Sequence, residues 1–251
     1  MFWTFYNSAN GKLVVIDGGT SGNADHVRDV INAYGGTVEA WFLTHLHEDH
    51  AGAFNVIFED PQNIKIKDVY TTSFPYDKFL EVYQWWDNPD TMAKFVGLSE
   101  KANNIHYPKR DDVIEVGGLC FVILNTYDDV LLQTAGEHDL PNNAGMIIRA
   151  AGTADSIIFM ADTYSPEMGE YLINTYGTSI RSKYLQAPHH GNSVMPMDFY
   201  TAMKPQMIMF DAPEWLMNSK EHRAKELKKW CDANGIKTYD FRTAPNVYMF
   251  K

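Results

Sequence analysis

The sequence lacks several features that would define a protein class on their own. It contains no run of about 18 apolar residues, so no segment is long enough to cross a bilayer as a helix. Residues 1–6 are aromatic but have neither a basic start nor a long apolar run, so they do not form a signal peptide. Cys120 and Cys231 are the only cysteines in 251 residues, which excludes a disulfide framework and favours buried free thiols.

Linkers, low-complexity tracts and short repeats are also missing, so we predict a single domain over residues 1–251. Hydrophobic residues make up 45% of the chain and charged residues 21%, a composition typical of a folded globular protein. The compartment stays open: cytoplasmic by default, or extracytoplasmic if the chain is part of a longer exported or membrane protein.

Basic residues are few relative to acidic ones. Lysine and arginine number 21 and aspartate and glutamate 32, which gives a formal net charge of −11 at pH 7. A field of this sign repels phosphate backbones at long range. We therefore expect no long duplex nucleic acid as a partner.

Hydrophobic periodicity gives the two halves of the chain a similar order of strand, strand, helix, strand. Glycine and proline punctuate this order, and Ser165 followed by Pro166 marks the start of a helix that ends at Gly177. Residues 69–107 form an aromatic and helical interval. The pattern predicts an α+β fold in which two sheets pack face to face with helices outside. The main predicted strands are 2–6, 13–16, 38–43, 112–116, 119–124, 146–149, 156–160, 184–187 and 207–210.

The segment with the clearest chemistry is Thr44-His45-Leu46-His47-Glu48-Asp49-His50, directly after a predicted strand. Imidazole nitrogens and carboxylate oxygens are common ligands of divalent metal ions. If the strand continues through His45 and His47, the two imidazoles point the same way, and Asp49 and His50 then face a second ion. Glu48 is expected to face solvent. A polar loop with surface histidines is the alternative, but it does not explain three imidazoles in six positions.

This string resembles the metallo-β-lactamase superfamily, whose binuclear hydrolases carry His-x-His-x-Asp-His after a strand. The resemblance covers essentially the whole chain and implies a four-layer αββα sandwich with two mixed sheets. It also implies that Asp162, at the end of a later strand, bridges two metals, and that His189 closes the second site. Two zinc ions are expected, and carboxylate ligation would also tolerate manganese.

Three further segments are most similar to the hydrolase domain of ComEC-type DNA-uptake proteins and to phosphorylcholine esterase. They are Asn142-Asn143, Ala161-Asp162 and Pro188-His189-His190-Gly191-Asn192-Ser193. Both of these relatives act on phosphodiesters. The sequence departs from the pattern at residues 140–144, where many members have a third histidine for the first metal, so Asn143 or water is expected there. Relatives also have an extra first strand, and the chain could be a fragment lacking it.

The resemblance implies hydrolysis by a metal-bound hydroxide, and we expect a phosphodiester as the substrate class, with a small-molecule or phosphodiester substrate as the partner. Asp49 is the expected proton acceptor, and His190 is expected to donate a hydrogen bond to the oxyanion or to protonate the leaving group. A packing or supporting role for His190 remains an alternative. The same chemistry would serve a lactam, lactone or thioester, and a non-catalytic binding module that keeps the fold is a third hypothesis.

Substrate specificity could come from an aromatic set of residues, Tyr83, Trp85, Trp86 and Trp215. These side chains could line a pocket, even one for a quaternary ammonium group. Helix-packing residues of the core are the more common case, and we predict that role for them.

Overall fold

The computed structural model of the chain describes residues 1–135, 138–240 and 247–251. Within these residues, strands and helices are interspersed along the chain. The strands are β1 (Trp3–Asn7), β2 (Lys12–Ile16), β3 (Thr37–Leu43), β4 (Lys65–Thr71), β5 (Ile105–His106), β6 (Val113–Val116), β7 (Leu119–Asn125), β8 (Ile147–Ala151), β9 (Ser156–Phe159), β10 (Tyr184–Gln186), β11 (Met207–Phe210) and β12 (Lys237–Asp240). The helices are α1 (Ala24–Ala33), α2 (Glu48–Glu59), α3 (Tyr76–Val82), α4 (Pro89–Ser99), α5 (Asp129–Ala135), α6 (Leu140–Asn143), α7 (Pro166–Tyr176), α8 (Met197–Met203), α9 (Glu214–Asn218) and α10 (Ala224–Ala233).

The described strands form two mixed sheets. The first has the order β1-β2-β3-β4-β5, in which β1 and β2 are antiparallel and the other pairs are parallel. The second has the order β12-β11-β10-β9-β8-β7-β6, antiparallel from β6 to β9 and parallel from β9 to β12. This arrangement confirms the predicted α+β fold.

Alternation along the strands divides the core into two layers. Leu13 and Val15 of β2 belong to the hydrophobic cluster that includes α1 and α2, whereas Val14 and Ile16 belong to the cluster between the sheets. Both faces are covered, so the strand is apolar throughout rather than alternating with polar residues. Across the sheet interface the Phe42 ring stacks on Phe121, with centroids 4.7 Å apart. The two sheets therefore pack face to face, as the sequence predicts.

The predicted capping of α7 is confirmed, because the Ser165 side chain accepts a hydrogen bond from the Met168 backbone N–H at 3.2 Å. The helical interval predicted over 69–107 is confirmed for α3 and α4 but wrong at its two ends, where β4 and β5 lie side by side in the parallel part of the first sheet. The charged residues Lys65 and Lys67 of β4 conceal its strand pattern in the sequence. Cys231 is buried, Cys120 is half-buried, and both thiols are free. Within the described residues, no helix combines the length and apolar character needed to cross a membrane.

Candidate metal centre

Histidines and aspartates from distant parts of the chain meet where three strands end. Residues 44–47 connect β3 to α2, whose first turn contains Asp49 and His50. Asp162 follows β9, and His189 and His190 follow β10. The sheets thus bring together residues separated by up to 145 positions, from His45 to His190, in one site.

β3 does not continue through His45 and His47. β3 ends at Leu43 because the backbone N–H and the hydroxyl of Thr44 both donate to the carboxylate of Asp17, each at 2.7 Å. The two imidazoles nevertheless lie side by side, with ring centroids 4.7 Å apart. A turn fixed by Asp17, not a continuous strand, brings them together.

One group of ligand atoms, which we call the His190 cluster, comprises Asp49, His50, His190 and Oδ1 of Asp162. Their potential ligand atoms all lie within 4.8 Å of one another. The Nε2 atom of His190 is 3.2 Å from Oδ2 of Asp49 and 3.1 Å from Nε2 of His50. Oδ1 of Asp162 is 3.3 Å from His50 Nε2 and 3.5 Å from His190 Nε2.

A second group, which we call the His189 cluster, comprises His45, His189 and the other carboxylate oxygen of Asp162, together with His47, whose ring lies beside that of His45. Oδ2 of Asp162 is 3.8 Å from Nε2 of His45 and 3.5 Å from Nε2 of His189. The buried Asp162 carboxylate therefore faces one cluster with each oxygen, the position of a bridging group.

Adjacent histidines reach different clusters because their backbone is left-handed. His189 has φ 47° and His190 has φ 57°, a region that non-glycine residues seldom adopt. The backbone N–H of His189 donates to the carbonyl of Ala161 at 2.9 Å, and the Tyr164 ring stacks on the His189 imidazole at 5.7 Å. Such conformations persist where surrounding contacts fix them, and they concentrate at functional sites.

Buried carboxylates stand behind two of the imidazoles in the His190 cluster. Oδ2 of Asp17 is 2.7 Å from Nδ1 of His50, and Oδ1 of Asp211 is 3.4 Å from Nδ1 of His190. A carboxylate at Nδ1 favours the tautomer with its proton there, which leaves the Nε2 lone pair directed into the cluster. Both imidazoles are therefore oriented so that Nε2 could bind a cation in the cluster.

The residues fit a divalent cation. Two Nε2 lone pairs at 3.1 Å repel each other unless a cation or a proton lies between them. In addition, Nε2 of His45 and Oδ1 of Asp162 are buried and have no hydrogen-bond partner among the described residues. Buried polar atoms are rarely left without a partner, and an ion would satisfy both.

The charges of the site shift the pKa values of its groups strongly. Burial would lower the pKa of His50, but the carboxylates of Asp162, Asp17 and Asp49 outweigh it and raise the value to about 9. Burial would raise the pKa of Asp162, but the imidazoles of His190, His50 and His189 hold it well below the ordinary value. The carboxylates therefore stabilise positive charge in this site, whether it is carried by protonated imidazoles or by metal ions.

Asn143, expected to complete the first metal site, has another role in the structure. Its Oδ1 accepts hydrogen bonds from the backbone N–H groups of Tyr164 and Ser165, both at 3.1 Å. Its Nδ2 donates to the carbonyl of His138 at 3.0 Å. These contacts use both lone pairs of the amide oxygen, so the structure does not place Asn143 as a ligand.

Glu48 does not face solvent as expected. Its carboxylate accepts hydrogen bonds from the Ser21 backbone N–H at 2.9 Å and from the Thr91 hydroxyl at 2.6 Å. It therefore ties the start of α2 to two neighbouring segments. Asp49, the next residue, has a half-exposed side chain at the mouth of the site.

The four aromatic residues predicted to pack in the core are exposed instead. Trp85 is 88% exposed, Trp215 65%, Trp86 55% and Tyr83 45%.

Between Trp86 and α4 lies Asp87, whose carboxylate is buried and 3.1 Å from Nε2 of His47. Burial would lower the pKa of His47, but Asp87 outweighs this and raises it.

Sequence reasoning missed three carboxylates of the site. Asp17 and Asp211 each follow a buried strand directly, so a search for carboxylates at strand ends could have found them. Asp87 lies in an irregular segment between two helices, where no periodicity marks it.

Two mixed sheets between layers of helices, with an Asp and His cluster at the strand ends, define the metallo-β-lactamase fold. Residues 2–121 match the family model described as the metallo-beta-lactamase superfamily, and the chain has the metallo-β-lactamase fold. A comparison with curated proteins gives no significant match.

Solved structures share the fold at low sequence identity. The metallo-beta-lactamase fold protein YhfI from Bacillus subtilis is 11% identical, with a TM-score of 0.50 over 95% of this chain and 92% of that chain. Igni18, a metallo hydrolase from Ignicoccus hospitalis, is 14% identical, with a TM-score of 0.55 over 99% and 95%. CmlA, a diiron beta-hydroxylase from Streptomyces venezuelae, is 12% identical, with a TM-score of 0.54 over 85% of this chain and 45% of that chain. At these identities the likeness concerns the fold alone.

Proposed function

We propose that the protein is a binuclear metallohydrolase, and the position of Asp162 between the two clusters is the observation that carries this proposal. Its two oxygens face different sets of imidazoles at 3.3–3.8 Å, and Oδ1 has no hydrogen-bond partner among the described residues. A carboxylate in this position suits a bridge between two cations.

The proposed ligands follow the two clusters. One ion is held by Asp49, His50, His190 and Asp162, and the other by His45, His47, His189 and Asp162. This assignment changes two expectations. His190, whose Nε2 lies inside its cluster, is proposed as a ligand rather than a proton donor, and His189 takes the place of the third histidine that residues 140–144 lack.

When bound, two divalent ions supply a nucleophile at neutral pH by lowering the pKa of water, and they polarise the oxygen that becomes negatively charged. The imidazole-rich ligand set favours zinc, and the carboxylates are compatible with manganese. The protein residues hold and orient these groups: Asp17 and Asp211 fix the tautomers of His50 and His190. Asp49, half-exposed at the mouth, is placed to accept a proton from the attacking water.

A phosphodiester is the proposed substrate class. Support comes from the order of Asn142-Asn143, Ala161-Asp162 and Pro188-His189-His190-Gly191, which resembles that of the ComEC-type hydrolase domain and phosphorylcholine esterase. The fold alone does not choose a substrate, because it also occurs in the diiron beta-hydroxylase CmlA. The substrate test must therefore include other ester and amide bonds.

The test compares turnover of bis(p-nitrophenyl) phosphate, a chromogenic lactone, a thioester and a chromogenic β-lactam by zinc- and manganese-loaded protein. We expect hydrolysis of the phosphodiester, with kcat reduced by about 10²–10⁴-fold in Asp49→Ala, the range expected for a positioned proton acceptor. The matched control is Asp232→Asn, which removes a carboxylate from the exposed side of α10 and should leave turnover unchanged.

Hydrolysis of the lactone, thioester or lactam alone would retain the metallohydrolase and overturn the phosphodiester. Two bound ions with no turnover of any substrate in the panel would favour the binding-module hypothesis. Protein that binds neither zinc nor manganese would contradict the proposed function altogether.

A further inference from the structure

Residues 83–88 connect α3 to α4 and form what we call the tryptophan loop. Its aromatic side chains project into solvent: Trp85 is 88% exposed, Trp86 55% and Tyr83 45%. Asp87 behaves in the opposite way, because its side chain is only 1% exposed. A carboxylate is costly to bury, so its partners need to be identified.

The two oxygens of Asp87 face two different groups. Oδ2 accepts a hydrogen bond at 2.7 Å from the backbone N–H of Gln84, within the loop itself. Oδ1 lies 3.1 Å from Nε2 of His47, which is ion-pair distance, and neither of these two buried atoms makes a well-aligned hydrogen bond with a described group, the other atom of the pair included. One oxygen therefore shapes the loop, and the other faces the His189 cluster.

The contact to His47 matches the arrangement of the other two carboxylate-backed histidines. Asp17 stands at Nδ1 of His50 and Asp211 at Nδ1 of His190, and the opposite nitrogen of each ring faces the His190 cluster. At His47 the carboxylate stands at Nε2 instead. The nitrogen left to bind a cation is therefore Nδ1.

We propose that Asp87 is a positioning residue for His47: its carboxylate accepts the Nε2 proton, directs Nδ1 toward the ion of the His189 cluster, and thereby ties the tryptophan loop to that cluster. The inference rests on the proposed function, since it assumes that the His189 cluster holds an ion. It adds a residue from outside the histidine motif and links the most exposed aromatic segment near the site to one ligand.

Asp87→Asn separates this role from a purely structural one. Asparagine has one carboxamide oxygen, so it can accept from Gln84 or from His47 but not from both. If the oxygen keeps the loop contact, the NH₂ group faces His47 Nε2 and favours the tautomer protonated at Nδ1, which cannot bind a metal. The loop can keep its shape while the ligand is lost.

The experiment measures zinc affinity by competition with a chromogenic chelator for the wild type, Asp87→Asn and the control Asp90→Asn. Asp90 is an exposed carboxylate in the first turn of α4, so the control removes the same charge from the same segment. We expect Asp87→Asn to lower the affinity for one of the two zinc ions by about 10–100-fold, the usual effect of removing a carboxylate that hydrogen-bonds to a metal ligand. The second ion and the melting temperature of the metal-free protein should stay unchanged, and Asp90→Asn should match the wild type.

A His45→Ala background identifies which ion is affected. That variant lacks a ligand of the His189 cluster, and we expect Asp87→Asn to have no further effect on its remaining ion. Unchanged affinity for both ions in Asp87→Asn, or weakening of the ion that His45→Ala retains, would overturn the inference while the proposed function stands. Wild-type protein that binds no zinc would instead contradict the proposed function.

Discussion

At the scale of single residues, the site depends on the groups that contact the proposed ligands from outside the two clusters. His50 is fully buried, and its orientation is fixed by Asp17, which also accepts both hydrogen bonds of Thr44. One carboxylate therefore sets the turn after β3 and the tautomer of a proposed ligand. Hydrogen bonds to a charged group contribute about 1.5–3 kcal/mol each, so this residue matters for stability as well as for metal binding.

Asp17→Asn is expected to lower the free energy of unfolding of the metal-free protein by about 2–4 kcal/mol. Asparagine keeps one oxygen for three donor groups and leaves at least one of them buried without a partner, which costs about 1–3 kcal/mol in addition to the lost charge. Urea denaturation of chelator-treated protein measures the change.

The matched control is Asp68→Asn. Asp68 also pairs with a histidine, His106, at 2.8 Å, but both side chains are nearly half exposed. Exposed ion pairs contribute about 0–1 kcal/mol, so this variant should unfold close to the wild-type midpoint. Equal losses in the two variants would show that burial of Asp17 does not have the importance assigned to it.

At the scale of elements, the proposed ligands lie at the ends of strands, and tight turns orient their side chains. Gly191 follows the two left-handed histidines and itself has φ +91°. A Cβ atom there would lie 2.9 Å from the Phe210 ring and 3.1 Å from Cβ of Ala224. Both the conformation and the space around this turn therefore require glycine.

Gly191→Ala should destabilise the protein by about 2–5 kcal/mol, since a left-handed alanine costs about 1–2 kcal/mol and overpacking adds about 1–3 kcal/mol. It should also weaken binding of the ion held by His190, because the turn moves to relieve the contact. Thermal unfolding and zinc competition measure the two effects.

Gly35→Ala is the control for backbone strain alone. Gly35 has φ +96° in the turn after α1, close to the +91° of Gly191, but nothing lies within 4 Å of its added Cβ. It should lose only the conformational part, about 1–2 kcal/mol, and keep both ions. A Gly191→Ala variant no less stable than Gly35→Ala would argue against tight packing around Gly191.

At the scale of the whole molecule, the sequence predicts well what is local or periodic. The order of strands and the string from His45 to His50 are local signals, and the two-sheet fold they imply is confirmed. β4 was missed because Lys65 and Lys67 hide its pattern, although parallel neighbours on both sides determine its structure.

Features that depend on tertiary contacts were not predictable in the same way. The division of His189 and His190 between two clusters follows from left-handed backbone conformations that no pattern marks. The contact between Asp87 and His47 joins residues 40 positions apart across an irregular loop. Asn143 has the chemistry of a ligand, but backbone N–H groups at 3.1 Å use its oxygen.

The central claim is that the chain holds two metal ions, divided between the clusters of His189 and His190. Plasma mass spectrometry after equilibrium dialysis against zinc tests it most directly in the wild type, His189→Ala and His190→Ala. We expect two ions per chain in the wild type and one in each variant, with the His45→Ala substitution removing no further ion from His189→Ala. A wild type with one ion or none, or a His190→Ala variant that retains two, would contradict it.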